Sequence, residues 1–121
     1  MKKVLIIEDY YAVADMEQYL CSMEGYEVAV AASGEEGLAL LDEFKPDLLL
    51  LDLSLPGAMS GTDVLEKVRA EHGDIPKVLV VSALVGSDNE DELRAHGNVD
   101  VLGKPFLIKD LATRIQIMLS T

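Results

Sequence analysis

LLLLDLSLP, residues 48–56, is the stretch on which the fold turns. Four leucines run into an aspartate, and a proline closes the segment. An unbroken apolar run of this kind is the pattern of a strand covered on both faces, as in a parallel sheet. Aspartate is depleted in strands and is almost never fully buried without a partner. Asp52 therefore ends a buried strand on a charge, and its partner has to come from elsewhere in the chain.

Outward from that strand the chain keeps a regular rhythm. Strand-like segments are expected at 4–7, 26–31, 47–53, 77–81 and 99–102. Between them lies helical spacing: Val13, Met16, Leu20 and Met23, stopped by Gly25, then Leu38, Leu41 and Phe44, ended before Pro46. Ser33 with Glu36 three residues on predicts a capping box for the second helix. Val64, Leu65 and Val68 mark a third helix, closed near Gly73, and Ile108, Leu111, Ile115 and Met118 line a last one. A fourth helix, from about Ser87 to His96, has a thin apolar stripe of Leu93 and Ala95 and is expected to be the least stable element. Strands this apolar, alternating with helices, predict a doubly wound α/β fold: a five-stranded parallel sheet with helices on both faces and right-handed crossovers. The pattern by itself leaves the strand order open.

The chain's 121 residues suit a single domain, 1–121, and half of them are apolar, enough for a core. Ten basic against 22 acidic residues give a net charge of −12. That balance argues against direct nucleic-acid binding and against attraction to anionic lipid. Cys21 is alone, which excludes an intrachain disulfide and a thiolate metal cluster. Met1-Lys2-Lys3 and four apolar residues before Glu8 do not make a secretory signal, and no apolar run is long enough to cross a membrane. The expected location is the cytoplasm.

In doubly wound sheets ligands bind outside the carboxyl ends of the strands. Here the first strand runs into Glu8-Asp9, the third into Asp52, the fourth into Ser82 and the fifth into Gly103-Lys104-Pro105. Each has an ordinary explanation alone: Asp9 as a helix N-cap, Asp52 as the start of a turn, Ser82 as a cap, Lys104 as a solvated surface lysine. Together they bring three carboxylates, a hydroxyl and an ammonium to one edge. Two carboxylates about 5 Å apart repel by roughly 3 kcal/mol at an effective dielectric of 20. One lysine does not balance three of them, so the cluster calls for a hard divalent cation. Oxygen ligands without Cys or His favour Mg²⁺, or Mn²⁺ or Ca²⁺, over zinc.

With these residues in place, the chain resembles the receiver domain of two-component response regulators, of the chemotaxis-regulator kind, over essentially its whole length. The resemblance rests on VLIIEDY at the first strand, LLLLDLSLPG at the third, VVSA at the fourth and GKPF at the fifth. It implies a flavodoxin-like (βα)5 fold with strand order 2-1-3-4-5. Asp52 would be the phosphoacceptor, attacking a phosphohistidine of a histidine kinase or phosphotransfer protein. Asp9, Asp52 and the backbone carbonyl of Ser54 would hold Mg²⁺, with Glu8 reaching it through water. Lys104 and Ser82 would each contact a phosphoryl oxygen, and Pro105 would follow a cis peptide bond. Such a module catalyses only its own phosphoryl transfer and dephosphorylation. It signals to a downstream protein target through the face of helix 4, strand 5 and helix 5, as a monomer or a phosphorylation-dependent dimer.

Three positions depart from the family pattern. Val101 stands where an aromatic switch residue is usual, and a valine has no ring to swing. PGAMSG, residues 56–61, reads as one residue longer than the usual loop. Ser82 keeps the hydroxyl of the commoner threonine but loses its β-branch. Ser54 and Leu84, two residues beyond Asp52 and Ser82, stand where the family tunes self-hydrolysis.

Two other functions compete. An aspartyl-phosphate phosphatase of the haloacid dehalogenase type would need a second Asp at position 54, where Ser54 stands. A receiver-like adaptor that binds a partner without phosphorylation is kept open by Val101 and the altered loop. Cys21, His72 and His96 read as structural or solvated, and Gly37 as a close-packing position. The chain reads either as a stand-alone receiver or as a piece of a larger regulator.

Overall fold

Ten elements alternate along the chain: β1 (Lys3–Ile7), α1 (Tyr11–Met23), β2 (Glu27–Ala31), α2 (Gly34–Phe44), β3 (Leu48–Leu51), α3 (Gly61–His72), β4 (Lys77–Ser82), α4 (Glu90–Arg94), β5 (Val99–Gly103) and α5 (Ile108–Leu119). The structure, a computed structural model, describes residues 1–120. The strands form one parallel sheet in the order β2-β1-β3-β4-β5. This is the doubly wound arrangement expected, with the reversal of strand order at β1 and β3.

Side chains alternate across a strand, and the sheet sorts them into two apolar layers. Leu5, Ile7, Leu49, Leu51, Val78, Val80, Val99 and Val101 pack with Leu41, Val64, Leu65, Val68 and Leu93 on the face covered by α2, α3 and α4. Val4, Ile6, Leu48, Leu50, Leu79 and Val81 pack with Cys21, Leu111, Ile115 and Leu119 on the face covered by α1 and α5. All four leucines of β3 are buried, two in each layer. Each contributes about 1.5–3 kcal/mol of apolar burial, an upper estimate against an extended chain.

Local signals hold in most places. The Ser33 hydroxyl accepts from the Glu36 N–H at the start of α2. A complete reciprocal capping box instead opens α3, between Ser60 and Asp63. Gly37 packs directly on the Ile7 side chain, which is the close approach expected of it. The shortest helix is α4, with Leu93 its one buried residue; the expected span of about 87–96 shrinks to 90–94, and Ala95 lies beyond its end, exposed.

Two helix faces differ from expectation. In α1 the buried residues are Ala14, Glu17 and Cys21; Val13, Met16 and Leu20 only flank them, and Met23 is exposed. In α5 Ile108 is exposed, and Leu119 joins Leu111 and Ile115 in the core.

Candidate metal and phosphoryl site

Strand register brings the site together. Ile7 pairs with Leu51, so Glu8 and Asp52 leave the sheet side by side; the Asp52 N–H donates to the Ile7 carbonyl at 3.1 Å. Ser82 pairs with Gly103, and the Lys104 N–H donates to the Ser82 carbonyl at 3.0 Å. Four strand ends thus deliver Glu8, Asp52, Ser82 and Lys104 to one edge. The close seat of α3 on β3 fixes the floor: the Gly61 N–H donates to the Leu53 carbonyl at 2.9 Å. A Cβ at Gly61 would collide with the Asp52 carbonyl and the Leu53 Cα.

Asp52 is 7% exposed. Its Oδ1 accepts from the Ser54 N–H at 3.1 Å, and its Oδ2 accepts from Lys104 Nζ at 3.3 Å. The same ammonium donates to Glu8 Oε1 at 2.7 Å, and the second Glu8 oxygen accepts from the Tyr10 N–H at 3.0 Å. The lysine's side chain is 19% exposed, so it is a partly buried tether between two carboxylates and not a freely solvated surface group. Asp9 is exposed and caps nothing: α1 has Tyr10 at its N-cap with no side-chain cap bond. Ligand oxygens of Glu8, Asp9 and Asp52 lie within 4.8 Å of one another.

Electrostatics divide the two buried carboxylates. Burial raises both, but for Asp52 it is outweighed by the Ser82 hydroxyl, the Ser54 N–H and Lys104, so Asp52 titrates below the ordinary range. For Glu8 burial prevails over Lys104 and the Tyr10 N–H, with repulsion from Asp52 added, so Glu8 titrates above it. Lys104 itself is also buried, yet Glu8 and Asp52 hold its ammonium above the usual lysine value. Asp52 is thus the one of the two buried carboxylates that keeps its negative charge to lower pH. Ionised together, the three carboxylates and one ammonium carry a net charge of −2, and Asp9 has no hydrogen bond or ion pair among the described residues. This donor set, all oxygen and open on the Asp9 side, fits a hard divalent cation.

The other residues singled out from the sequence lie partly at this centre and partly away from it. Ser82 is fully buried, its Oγ accepting from the Leu84 N–H at 3.2 Å. Ser54 is exposed at the rim. The Lys104–Pro105 peptide is cis, as is Ile75–Pro76, which was not anticipated. Val101 is buried in the layer under α4, paired with Val80, and its carbonyl accepts from Arg114 Nη1 at 2.7 Å. His72 pairs with Asp42 at 3.2 Å, far from the acidic edge, and Cys21 is buried in the α1/α5 layer. Glu17, buried on α1, was not anticipated. Its only sequence signal is an acid one turn from Ala14 and Cys21 on the face they share.

A parallel α/β sheet whose carboxyl edge gathers three carboxylates, a lysine and a buried serine defines a small α/β domain with an acidic pocket able to take a cation. Residues 4–116 match the response regulator receiver domain, and the chain belongs to that family. It is 38% identical over 119 residues to the sensory transduction protein RegX3 of Mycobacterium tuberculosis, covering 98% of this chain and 51% of the relative. It is 35% identical over 118 residues to the DNA-binding response regulator MtrA of Mycobacterium leprae, covering 98% and 51%. The chain spans about half the length of these curated relatives. Among solved structures it resembles the Francisella response regulator 1452 receiver domain, with a TM-score of 0.90 at 28% identity over 99% of this chain and 98% of that one. It also resembles the response regulator TrrA of Thermotoga maritima in complex with Mg²⁺-BeF, with a TM-score of 0.83 at 26% identity over 98% and 99%. No helix among the described residues is long and apolar enough to cross a membrane.

Proposed function

We propose that this receiver domain accepts a phosphoryl group on Asp52 from a phosphohistidine. The carrying observation is the Asp52 carboxylate, buried and kept ionised by the Ser82 hydroxyl, the Ser54 N–H and Lys104. A carboxylate oxygen of Asp52 attacks phosphorus, the P–N bond breaks, and the imidazole leaves with the electron pair. The product is an aspartyl phosphate. Such transfers depend on positioning and charge neutralisation more than on covalent assistance.

Asp9, Asp52 and the Ser54 carbonyl would hold Mg²⁺, with Glu8 acting through water; Mn²⁺ or Ca²⁺ would meet the same oxygen donors. The cation would supply charge neutralisation for the phosphoryl oxygens. Lys104 then turns from Glu8 and Asp52 toward a phosphoryl oxygen, and the Ser82 hydroxyl donates to another. The same pocket supports slow self-dephosphorylation and no turnover of other substrates.

The donor is a histidine kinase or a histidine phosphotransfer protein in the cytoplasm. The output is a protein target or a second copy of the domain, read on the face of α4, β5 and α5. Asp100 there bridges Arg94 of α4 at 2.8 Å and Arg114 of α5 at 3.2 Å, which links the three elements through one carboxylate. The net charge of −12 is a poor match for direct nucleic-acid contact by this domain. Val101 favours a second reading, a phosphorylation-independent adaptor, because a buried valine has no aromatic swing to offer.

Acetyl phosphate with Mg²⁺, read by intact mass, separates the two. The receiver reading expects one phosphoryl group, absent in Asp52→Asn and Asp52→Ala and lost on chelation. An unlabelled chain that still binds Mg²⁺ would leave the adaptor.

A further inference from the structure

Glu17 is 2% exposed, and its Oε1 has no hydrogen-bond partner. Buried polar groups almost always find partners, so an orphaned carboxyl oxygen in a core layer demands a reason. Its place supplies one. Strand parity carries Val4 and Ile6 on to Glu8, Leu48 and Leu50 on to Asp52, and Leu102 on to Lys104, all on the α1/α5 side of the sheet. Glu17 lies on the inward stripe of α1, between Ala14 and Cys21, and Cys21 packs in that same layer.

The titratable and charged groups facing it are therefore Glu8 from the end of β1, Asp52 from the end of β3, Lys104 from beyond β5 and Cys21 from its own helix. From α5 come only the apolar Leu111, Ile115 and Leu119. Glu17 forms no hydrogen bond or ion pair with any of them among the described residues. It stands within the field of Glu8, Lys104 and Asp52.

We propose that Glu17 is a proton-bearing fourth acid of the pocket, which gives up its proton when a divalent cation joins Glu8, Asp9 and Asp52. The inference rests on the metal-dependent reading given above. Without a cation, burial and then the charge of Glu8 keep Glu17 protonated, with Lys104 opposing and Asp52 adding to the effect; its carboxyl is pushed up to about 8. A dication offsets the pocket's net charge of −2, removes the repulsion that Glu8 and Asp52 exert on Glu17 and so favours its carboxylate. The exchange balances: one dication enters, the Glu17 carboxyl becomes a carboxylate, and one proton leaves to solvent. An arriving phosphoryl group, being negative, favours the proton's return. Metal occupancy and phosphorylation are thereby linked to pH near neutrality through a residue outside the first ring of oxygens.

The test titrates Mg²⁺ into the wild-type domain and Glu17→Gln at pH 7, by calorimetry in two buffers of different ionisation enthalpy. The wild type should release up to one proton more per bound Mg²⁺ than the variant. Its affinity should rise up to tenfold per pH unit between pH 6 and 8, more steeply than in Glu17→Gln. Equal proton release and equal pH slopes, with binding intact in both, would overturn the exchange and leave the metal reading standing. No Mg²⁺ binding in either protein would overturn the metal reading and the exchange with it. Carboxyl carbon NMR of the metal-free wild type checks the premise without a variant: Glu17 titrating in the ordinary glutamate range would also overturn it.

Discussion

Lys104 Nζ lies 2.7 Å from Glu8 and 3.3 Å from Asp52, so the lysine leans toward Glu8 and away from the proposed phosphoacceptor. The one ammonium serves two buried acids at once. In Lys104→Met both acids lose that counter-charge. One of them takes up a proton, and the Glu8 titration moves further upward. Removing one partner of a buried pair costs about 3–5 kcal/mol, less here because the ammonium keeps some contact with water. Chemical unfolding at pH 7 should show a loss of about 2–3 kcal/mol. Labelling by acetyl phosphate should slow at least tenfold, and an unchanged rate would remove Lys104 from the phosphoryl site.

Asp9 is the acid the fold leaves open. It caps no helix and pairs with nothing among the described residues, so Asp9→Asn loses no contact and relieves repulsion in the acidic cluster, and the metal-free melting temperature should hold or rise. Mg²⁺ at ten times its dissociation constant should stabilise the wild type by about 1.4 kcal/mol. That corresponds to a rise of about 4–8 °C for a domain near this size. In Asp9→Asn the rise should shrink to within error at the same Mg²⁺ concentration. An equal rise in both would place the cation elsewhere.

The buried carboxyls make opposite demands on pH. Glu17 has a folded-state pKa of about 8 against an ordinary value of 4.5, so the unfolded chain ionises first as pH rises. Its stability contribution is full below about pH 4.5, is lost progressively above that, and levels off past about pH 8. The span amounts to roughly 5 kcal/mol at most, at 1.36 kcal/mol per pKa unit. Glu8 acts in the same direction. Asp52, held low, contributes above its unfolded value of 3.8 and loses that contribution as pH falls through its folded value. Glu17→Gln should therefore match the wild type near pH 5 and exceed it clearly at pH 8. Thermal melts of both proteins across that range measure the gap, and parallel curves would mean that Glu17 is already ionised at neutral pH.

Most of the site was legible because parallel strands end on one edge, whatever their order. Reading the residue after each apolar run was enough to collect Glu8, Asp9, Asp52, Ser82 and Lys104. Strand order came from the family resemblance, since alternation of apolar runs carries no information about neighbours. Glu17 escaped because hydrophobic spacing finds only hydrophobic residues. Val13, Met16, Leu20 and Met23 set the expected stripe of α1 one position away from Ala14, Glu17 and Cys21, which are small or polar and carry little apolar signal. The short α4 was visible as a thin stripe, but its end at Arg94 was not.

Leu84 sets the last expectation. It lies two residues beyond Ser82, its N–H donates to the Ser82 hydroxyl oxygen, and its side chain is 56% exposed. An apolar side chain at the mouth of the pocket offers an approaching water no hydrogen bond, so it cannot orient that water for attack on the aspartyl phosphate. An amide there can. Leu84→Asn should therefore shorten the phosphate half-life several-fold, a difference of about 1 kcal/mol in barrier. Labelling and Mg²⁺ affinity should stay unchanged, since the side chain touches neither Asp52 nor Lys104 by a hydrogen bond. Decay of the phosphorylated mass after removal of the donor gives both half-lives. If Leu84→Asn decays no faster than the wild type, water access is governed elsewhere, with the loop from Pro56 to Ser60 the next segment to alter.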